Sequence, residues 1–190
     1  MNRRNALRGI IGFTTVGFIT YHGVNYIFRN NLSESKDIVE YSDLIAELVE
    51  VIIPTTVTTL GAKNAQVHKF IISYMKNCSS RKDNNNFING LINLEKESFR
   101  IFEKSFKDCT SQEKSSLIKE LDDSSRNHII QKISNKIRGR SFFDLLKSLT
   151  IEGYCTSRIG VTEFFSYQPI PGHYQAITSY KSQQKAWATK

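Results

Sequence analysis

The sequence predicts an all-α protein, a compact helical bundle of about six helices followed by an irregular, aromatic C-terminal arm containing Pro and Gly. Three observations lead there. Apolar residues recur at the spacing of one helix face in segment after segment. No stretch keeps up the alternation of a half-buried strand. Helix start and stop signals also stand where those apolar patterns begin and end.

The first helix is predicted from about Ser42 to Ile53, where Leu44, Ile45, Leu48, Val49, Ile52 and Ile53 fall on one face. Pro54 ends it, because proline has no N–H for the helical ladder. A threonine-rich loop, Thr55 to Gly61, leads to a second helix of about Ala65 to Cys78 that carries Val67, Phe70, Ile71, Tyr74 and Met75. Ser79 to Asn85 reads as a turn. A third helix is predicted from about Asn86 to Phe106, with Phe87, Leu91, Leu94, Phe99, Ile101, Phe102 and Phe106 as apolar positions.

Thr110-Ser-Gln-Glu113 is a capping box, in which the threonine oxygen and the glutamate carboxylate satisfy each other's backbone N–H groups. It opens a short helix with Leu117, Ile118 and Leu121. A fifth helix is predicted from near Ser125 through Ile129, Ile130, Ile133 and Ile137, broken by Gly139. Ser141 caps a sixth, with Phe142, Phe143, Leu145, Leu146 and Leu149. From Tyr154 onward the pattern becomes irregular. The chain therefore divides into residues 1–30, a linker at 31–41, a helical domain at 42–160 and the arm at 161–190, with no internal repeat.

The N-terminus reads as an address. Arg3 and Arg4 precede a largely uncharged run from Gly9 to Phe28. A basic start followed by a moderately apolar stretch is the pattern of an export signal. The paired arginines resemble a twin-arginine signal, an address read by a receptor. Ala6 stands where a larger apolar residue is usual, and no A-x-A cleavage site follows. The same run of about twenty residues is long enough to span a bilayer, so a retained anchor stays open beside the export signal, as does an ordinary buried helix.

The formal net charge is +8, but the first thirty residues carry Arg3, Arg4, Arg8 and Arg29 with no acid. The remaining 22 basic and 18 acidic residues leave a mild excess. Spread over 160 positions it reads as ordinary solvated surface, so nucleic acid is not expected as a partner. Recognisable catalytic motifs are missing: no GxGxxG or P-loop for a nucleotide or flavin, no GxSxG elbow, no CxxCH for covalent haem. No two of His22, His68, His128 and His173 share a helix face, so no metal site is written locally. Cys78, Cys109 and Cys155 are odd in number. A Cys78–Cys109 disulfide is not expected, because the predicted third helix separates the two by about 30 Å.

Three segments carry a resemblance. Val51-Ile-Ile-Pro-Thr-Thr56 is followed by Gly61-Ala62-Lys63, with Leu60 where proline is common. Next, Phe142-Phe143 runs on through Lys147, Leu149, Thr150, Gly153, Tyr154, Thr156, Ser157 and Ile159 to Gly160. Last, Tyr167-Gln-Pro169-Ile-Pro171-Gly172-His-Tyr174 is followed by Lys185-Ala186-Trp187-Ala188. In this order, and behind paired arginines, they resemble the gluconate 2-dehydrogenase subunit 3 family along most of the chain. The resemblance implies a small subunit that carries no redox centre and accompanies a large flavoprotein of the glucose-methanol-choline type. FAD lies in that partner, and in several systems a c-type cytochrome subunit with haem c completes the complex. The substrate is a sugar, sugar acid or polyol. The small subunit serves maturation of the large one, and its signal carries the pair through the export machinery to the periplasm or the periplasmic face of the inner membrane.

Within the arm, Phe164, Phe165, Tyr167, Tyr174, Tyr180 and Trp187 are large aromatics in a stretch stiffened by Pro169 and Pro171. Aromatics are favoured at interface cores, and proline lowers the entropy lost on ordering. Phe164 and Phe165 are expected to fold back on the helices. Tyr154, Tyr167, Pro169, Pro171, Gly172, Tyr174 and Trp187 are the candidates for partner contact. Gly153, Gly160 and Gly172 are expected to serve close packing or positive φ. Two further readings stay beside the subunit: a membrane-anchored scaffold that keeps Gly9 to Phe28, and an independent exported enzyme.

Overall fold

A computed structural model describes residues 37–124, 139–170, 172, 177, 179, 182 and 184–188. Arg3, Arg4 and the Gly9 to Phe28 run lie outside the described residues, as do the predicted fifth helix with Ile129, Ile130, Ile133 and Ile137, and Pro171, Tyr174 and Tyr180. Five α-helices appear among the described residues: α1 (Ser42–Ile52), α2 (Val67–Asn77), α3 (Arg81–Phe102), α4 (Ser111–Ser124) and α5 (Phe142–Thr156). No strand occurs among them, and the all-α class predicted from the sequence is the one observed. None of these helices is long and apolar enough to cross a membrane.

The domain begins before α1. Asp37 caps a short 3₁₀ turn, Ile38–Tyr41, by accepting from the Val39 N–H. Ile38 is 3% exposed and belongs to the core rather than to a linker. In α1 the buried residues Leu44, Ile45, Leu48 and Val49 recur with the helical period. The helix stops at Ile52, just ahead of Pro54. In α2, Val67, Ile71 and Met75 stack at four-residue intervals on the buried side.

Helix α3 corrects the predicted boundaries at both ends. It starts at Arg81, not Asn86, because the Ser80 hydroxyl accepts from the Asp83 N–H at 3.2 Å and Asp83 places an acid in the first turn. Both features favour a helix N-terminus. The helix ends at Phe102, where Glu103 takes a left-handed conformation with φ 56° and its N–H bonds to the Phe99 carbonyl. Phe106 therefore lies outside α3, in a 3₁₀ turn (Phe106–Asp108), with its ring fully buried.

The predicted caps of α4 and α5 are present. Thr110 N–H donates to the Glu113 carboxylate at 2.7 Å, and Glu113 N–H donates to the Thr110 hydroxyl at 3.4 Å. Ser141 accepts from the Asp144 N–H at 3.3 Å. Upstream of that cap, Gly139 sits at φ +86°, where a side chain is strained and would also crowd Asp83 and Asn86. Those two side chains bracket Arg140: its N–H donates to Asp83 at 2.8 Å, and its carbonyl accepts from Asn86 at 3.0 Å.

Helix α5 packs on α1, α2 and α3. It buries Phe143, Leu145, Leu146, Leu149, Thr150, Gly153 and Tyr154, and it continues three residues past Gly153 before the chain turns irregular. A Cβ at Gly153 would lie 2.7 Å from the Phe70 ring, so the glycine sets how closely α5 meets α2. Cys78 is exposed, Cys109 buried and Cys155 half-buried, and none of the three is paired in a disulfide among the described residues.

One ion cluster ties three segments together. Glu47 accepts from Lys63 at 2.5 Å and from Lys114 at 2.7 Å, and the Lys114 side chain is only 12% exposed. Burial pushes the Glu47 carboxyl up, but the hydrogen bonds from Lys114 and Lys63 outweigh it and hold the group below the usual glutamate range. A lowered folded-state pKa adds stability that is present above the unfolded value, about 4.3, and is lost as pH falls through the folded one. Glu47→Gln is therefore expected to lower stability by about 1–2 kcal/mol at pH 7. Urea unfolding followed against pH should show the gap between variant and wild type closing as pH falls below the usual glutamate range. A gap that persists there would mean the cluster acts through packing alone.

Candidate functional site

The three sequence segments singled out above meet in space at one end of α5. The first is the loop after Pro54. The Glu50 carboxylate accepts from the Thr55 N–H at 2.8 Å and from the Lys63 N–H at 3.1 Å, so it clamps both ends of the loop. Gly61 leaves room for that clamp, since a Cβ there would lie 2.6 Å from both Glu50 Oε2 and the Thr55 nitrogen. Inside the loop, the Thr56 hydroxyl accepts from the N–H groups of Thr58 and Thr59, and the Thr59 carbonyl accepts from the Thr56 N–H. The closed loop leaves Val57 fully exposed at its tip and Leu60 39% exposed.

The second segment holds Leu60 in place. The Tyr154 hydroxyl donates to the Leu60 carbonyl at 2.7 Å, and the Leu60 N–H donates to Glu163 Oε2 at 3.2 Å. A proline at position 60 could not make the second bond, because it lacks the N–H. Burial, then the nearby Glu163 charge, pushes the Tyr154 phenol up, so it stays protonated and able to donate. After α5 the chain reverses sharply. The Ser157 hydroxyl donates to the Tyr154 carbonyl at 2.7 Å and accepts from the Gly160 N–H at 3.0 Å. One π-helical turn follows, Gly160–Phe164, closed by the Phe165 N–H on the Gly160 carbonyl.

That turn presents Phe164, whose ring stands edge-on to Tyr154 at 6.2 Å and to Phe165 at 5.0 Å while remaining 51% exposed. Folding back is thus fulfilled only in part. One edge of Phe164 rests on the core and the other faces outward.

The third segment returns to the same place. Ser166 N–H donates to the Ala186 carbonyl at 2.8 Å, and Ala188 N–H donates to the Ser166 carbonyl at 3.0 Å. Together they form one parallel bridge between Ser166 and Trp187. Lys185 Nζ donates to the Glu163 carbonyl beside it. The arm is therefore clasped at its base, with Trp187 51% and Tyr167 46% exposed next to the clasp. Ile170 and Ile177, in the loop the clasp closes, are 83% and 91% exposed.

The candidate residues separate by placement. Tyr167, Pro169, Gly172 and Trp187 are exposed, as a partner surface requires. Tyr154 is 2% exposed, so it shapes the surface from beneath instead of offering its ring. Gly160 serves close packing, as Gly153 does, whereas Gly172 has open space around it. Sequence reasoning missed Leu60, Glu163 and Glu50. The departure at position 60 was the one available signal, and it marks where a backbone N–H is used. Among the described residues no group of His, Cys, Asp and Glu is placed to hold a metal ion.

Fold and surface together define a helical protein with exposed aromatic residues at one end of its central helix. The family model for gluconate 2-dehydrogenase subunit 3 matches residues 40–172, and the chain belongs to that family. A search of curated proteins gave no significant match, nor did a search of solved structures.

Proposed function

We propose that this chain is the non-catalytic small subunit of an exported, flavin-dependent dehydrogenase complex that oxidises a sugar, gluconate or a polyol. Its task is to mature, stabilise and export the large glucose-methanol-choline-type flavoprotein subunit. The FAD belongs to that partner, and haem c to a cytochrome subunit where one joins. The observation that carries the proposal is the exposed aromatic face on a member of a subunit family. Monomeric proteins seldom leave large apolar patches to water without a use for them. Arg3 and Arg4 ahead of an apolar run support the twin-arginine route and a periplasmic destination.

Capture of the chain from its native envelope should bring down a larger protein with a flavin absorption spectrum. Replacing Arg3 and Arg4 by lysine should leave both proteins in the cytoplasm. A colourless, solitary chain would remove the dehydrogenase reading. Export of the flavoprotein despite the lysine variant would remove the shared-signal part alone.

A further inference from the structure

We infer that the large flavoprotein subunit docks on the face formed by Leu60, Phe164, Tyr167 and Trp187, with Arg158 and Lys185 as its cationic rim. This rests on the reading above that such a partner exists, and it says where the partner binds and what it must present.

Exposure is the first argument. Phe164, Tyr167 and Trp187 are 51%, 46% and 51% exposed and Leu60 39%, large apolar side chains of the kind favoured at interface cores. Mounting is the second. The Leu60 peptide is held from both sides by Tyr154 and Glu163, and Phe164 leans on the Tyr154 ring. Side chains already fixed in place lose little entropy on binding. Charge is the third. Arg158 is exposed and makes no ion pair among the described residues, and the Lys185 ammonium reaches only a backbone carbonyl. The Glu163 carboxylate accepts from the Leu60 N–H. Arg158 and Lys185 thus form no ion pair with an acid among the described residues, so the partner surface is apolar at its centre with carboxylates around it.

Other large apolar residues are exposed among the described residues, Val39, Phe99, Ile101 and Ile151. Phe99 and Ile101 on α3, at 55% and 42%, stand two positions apart and so point to different sides of the helix.

The test uses the full chain and the flavin-bearing subunit that co-purifies with it, separated and titrated back. Phe164→Ala and Trp187→Ala should each weaken binding about 30-fold, the loss expected of a buried aromatic anchor. Arg158→Glu, an exposed change that leaves the core untouched, should weaken it about 10-fold at low salt. Phe99→Ser with Ile101→Ser should leave affinity unchanged.

If no flavin-bearing protein co-purifies with the wild-type chain, the subunit reading fails. If one does, but Arg158→Glu and Trp187→Ala bind it as tightly as wild type, the docking face is overturned while the subunit reading stands. Loss of binding confined to the α3 double variant would also overturn it. Should Phe164→Ala melt early, the Arg158→Glu titration decides on its own.

Discussion

Phe106→Ala is expected to remove about 3–5 kcal/mol of stability, the range for deleting a fully buried phenylalanine. The ring has no exposed surface. It lies in the short turn between α3 and α4 and packs in the main core. Lys114 Nζ stands 5.8 Å from its centroid. Deleting the ring would open a cavity where three elements meet and would remove a cation–π contact of about 0.5–1 kcal/mol. A domain of this size has roughly 5–15 kcal/mol in total. Chemical unfolding should therefore show a large fall in midpoint with little change in slope. A loss below about 1 kcal/mol would mean that the turn repacks freely, contrary to a core fixed by the capping box at Thr110.

Gly160→Ala is the second large effect. A Cβ there would lie 2.0 Å from the carbonyl oxygen of Tyr154, a backbone atom that cannot swing aside. The Ser157 hydroxyl already holds that oxygen from the other direction. The turn must widen, at about 2–3 kcal/mol. For a domain of this size that corresponds to a fall in Tm of about 5–10 °C. Widening would also shift Glu163 and Phe164, so partner binding should weaken together with stability. A variant that melts like wild type would show that the reversal after α5 has room the geometry denies it.

The local parts of the fold were legible in the sequence. Thr110 with Glu113 and Ser141 with Asp144 announce helix starts, because capping involves residues three apart. The start of α3 was not, although Ser80 and Asp83 form the same kind of cap. The residues after them, Arg81 to Asn86, contain nothing apolar, so the periodic signal stays silent until Phe87. The end of α3 was hidden for another reason. Its terminator is the left-handed backbone of Glu103, a residue type that gives no hint of that conformation.

The site divides the same way. Tyr167 and Trp187 could be singled out because large aromatics in a Pro-containing stretch are conspicuous. Tyr154 looked alike in sequence, yet its ring is interior, a difference set only by how α5 packs. The bond from Leu60 to Glu163 joins positions 103 residues apart, and no local pattern encodes such a pair.

The clasp at the base of the arm has a thermodynamic consequence. Tying Ser166 to Ala186 and Ala188 closes a loop of some twenty residues, which costs roughly 2–3 kcal/mol in chain entropy. Two backbone hydrogen bonds return about 0.5–1.5 kcal/mol each. The closure is therefore close to balanced on its own, unlike the Leu60 peptide, which is anchored to the core. Any protein that covers Trp187 favours the closed form by mass action. The arm would then hold its partner and be held by it through the same few kilocalories, and half of the face would complete itself only on contact.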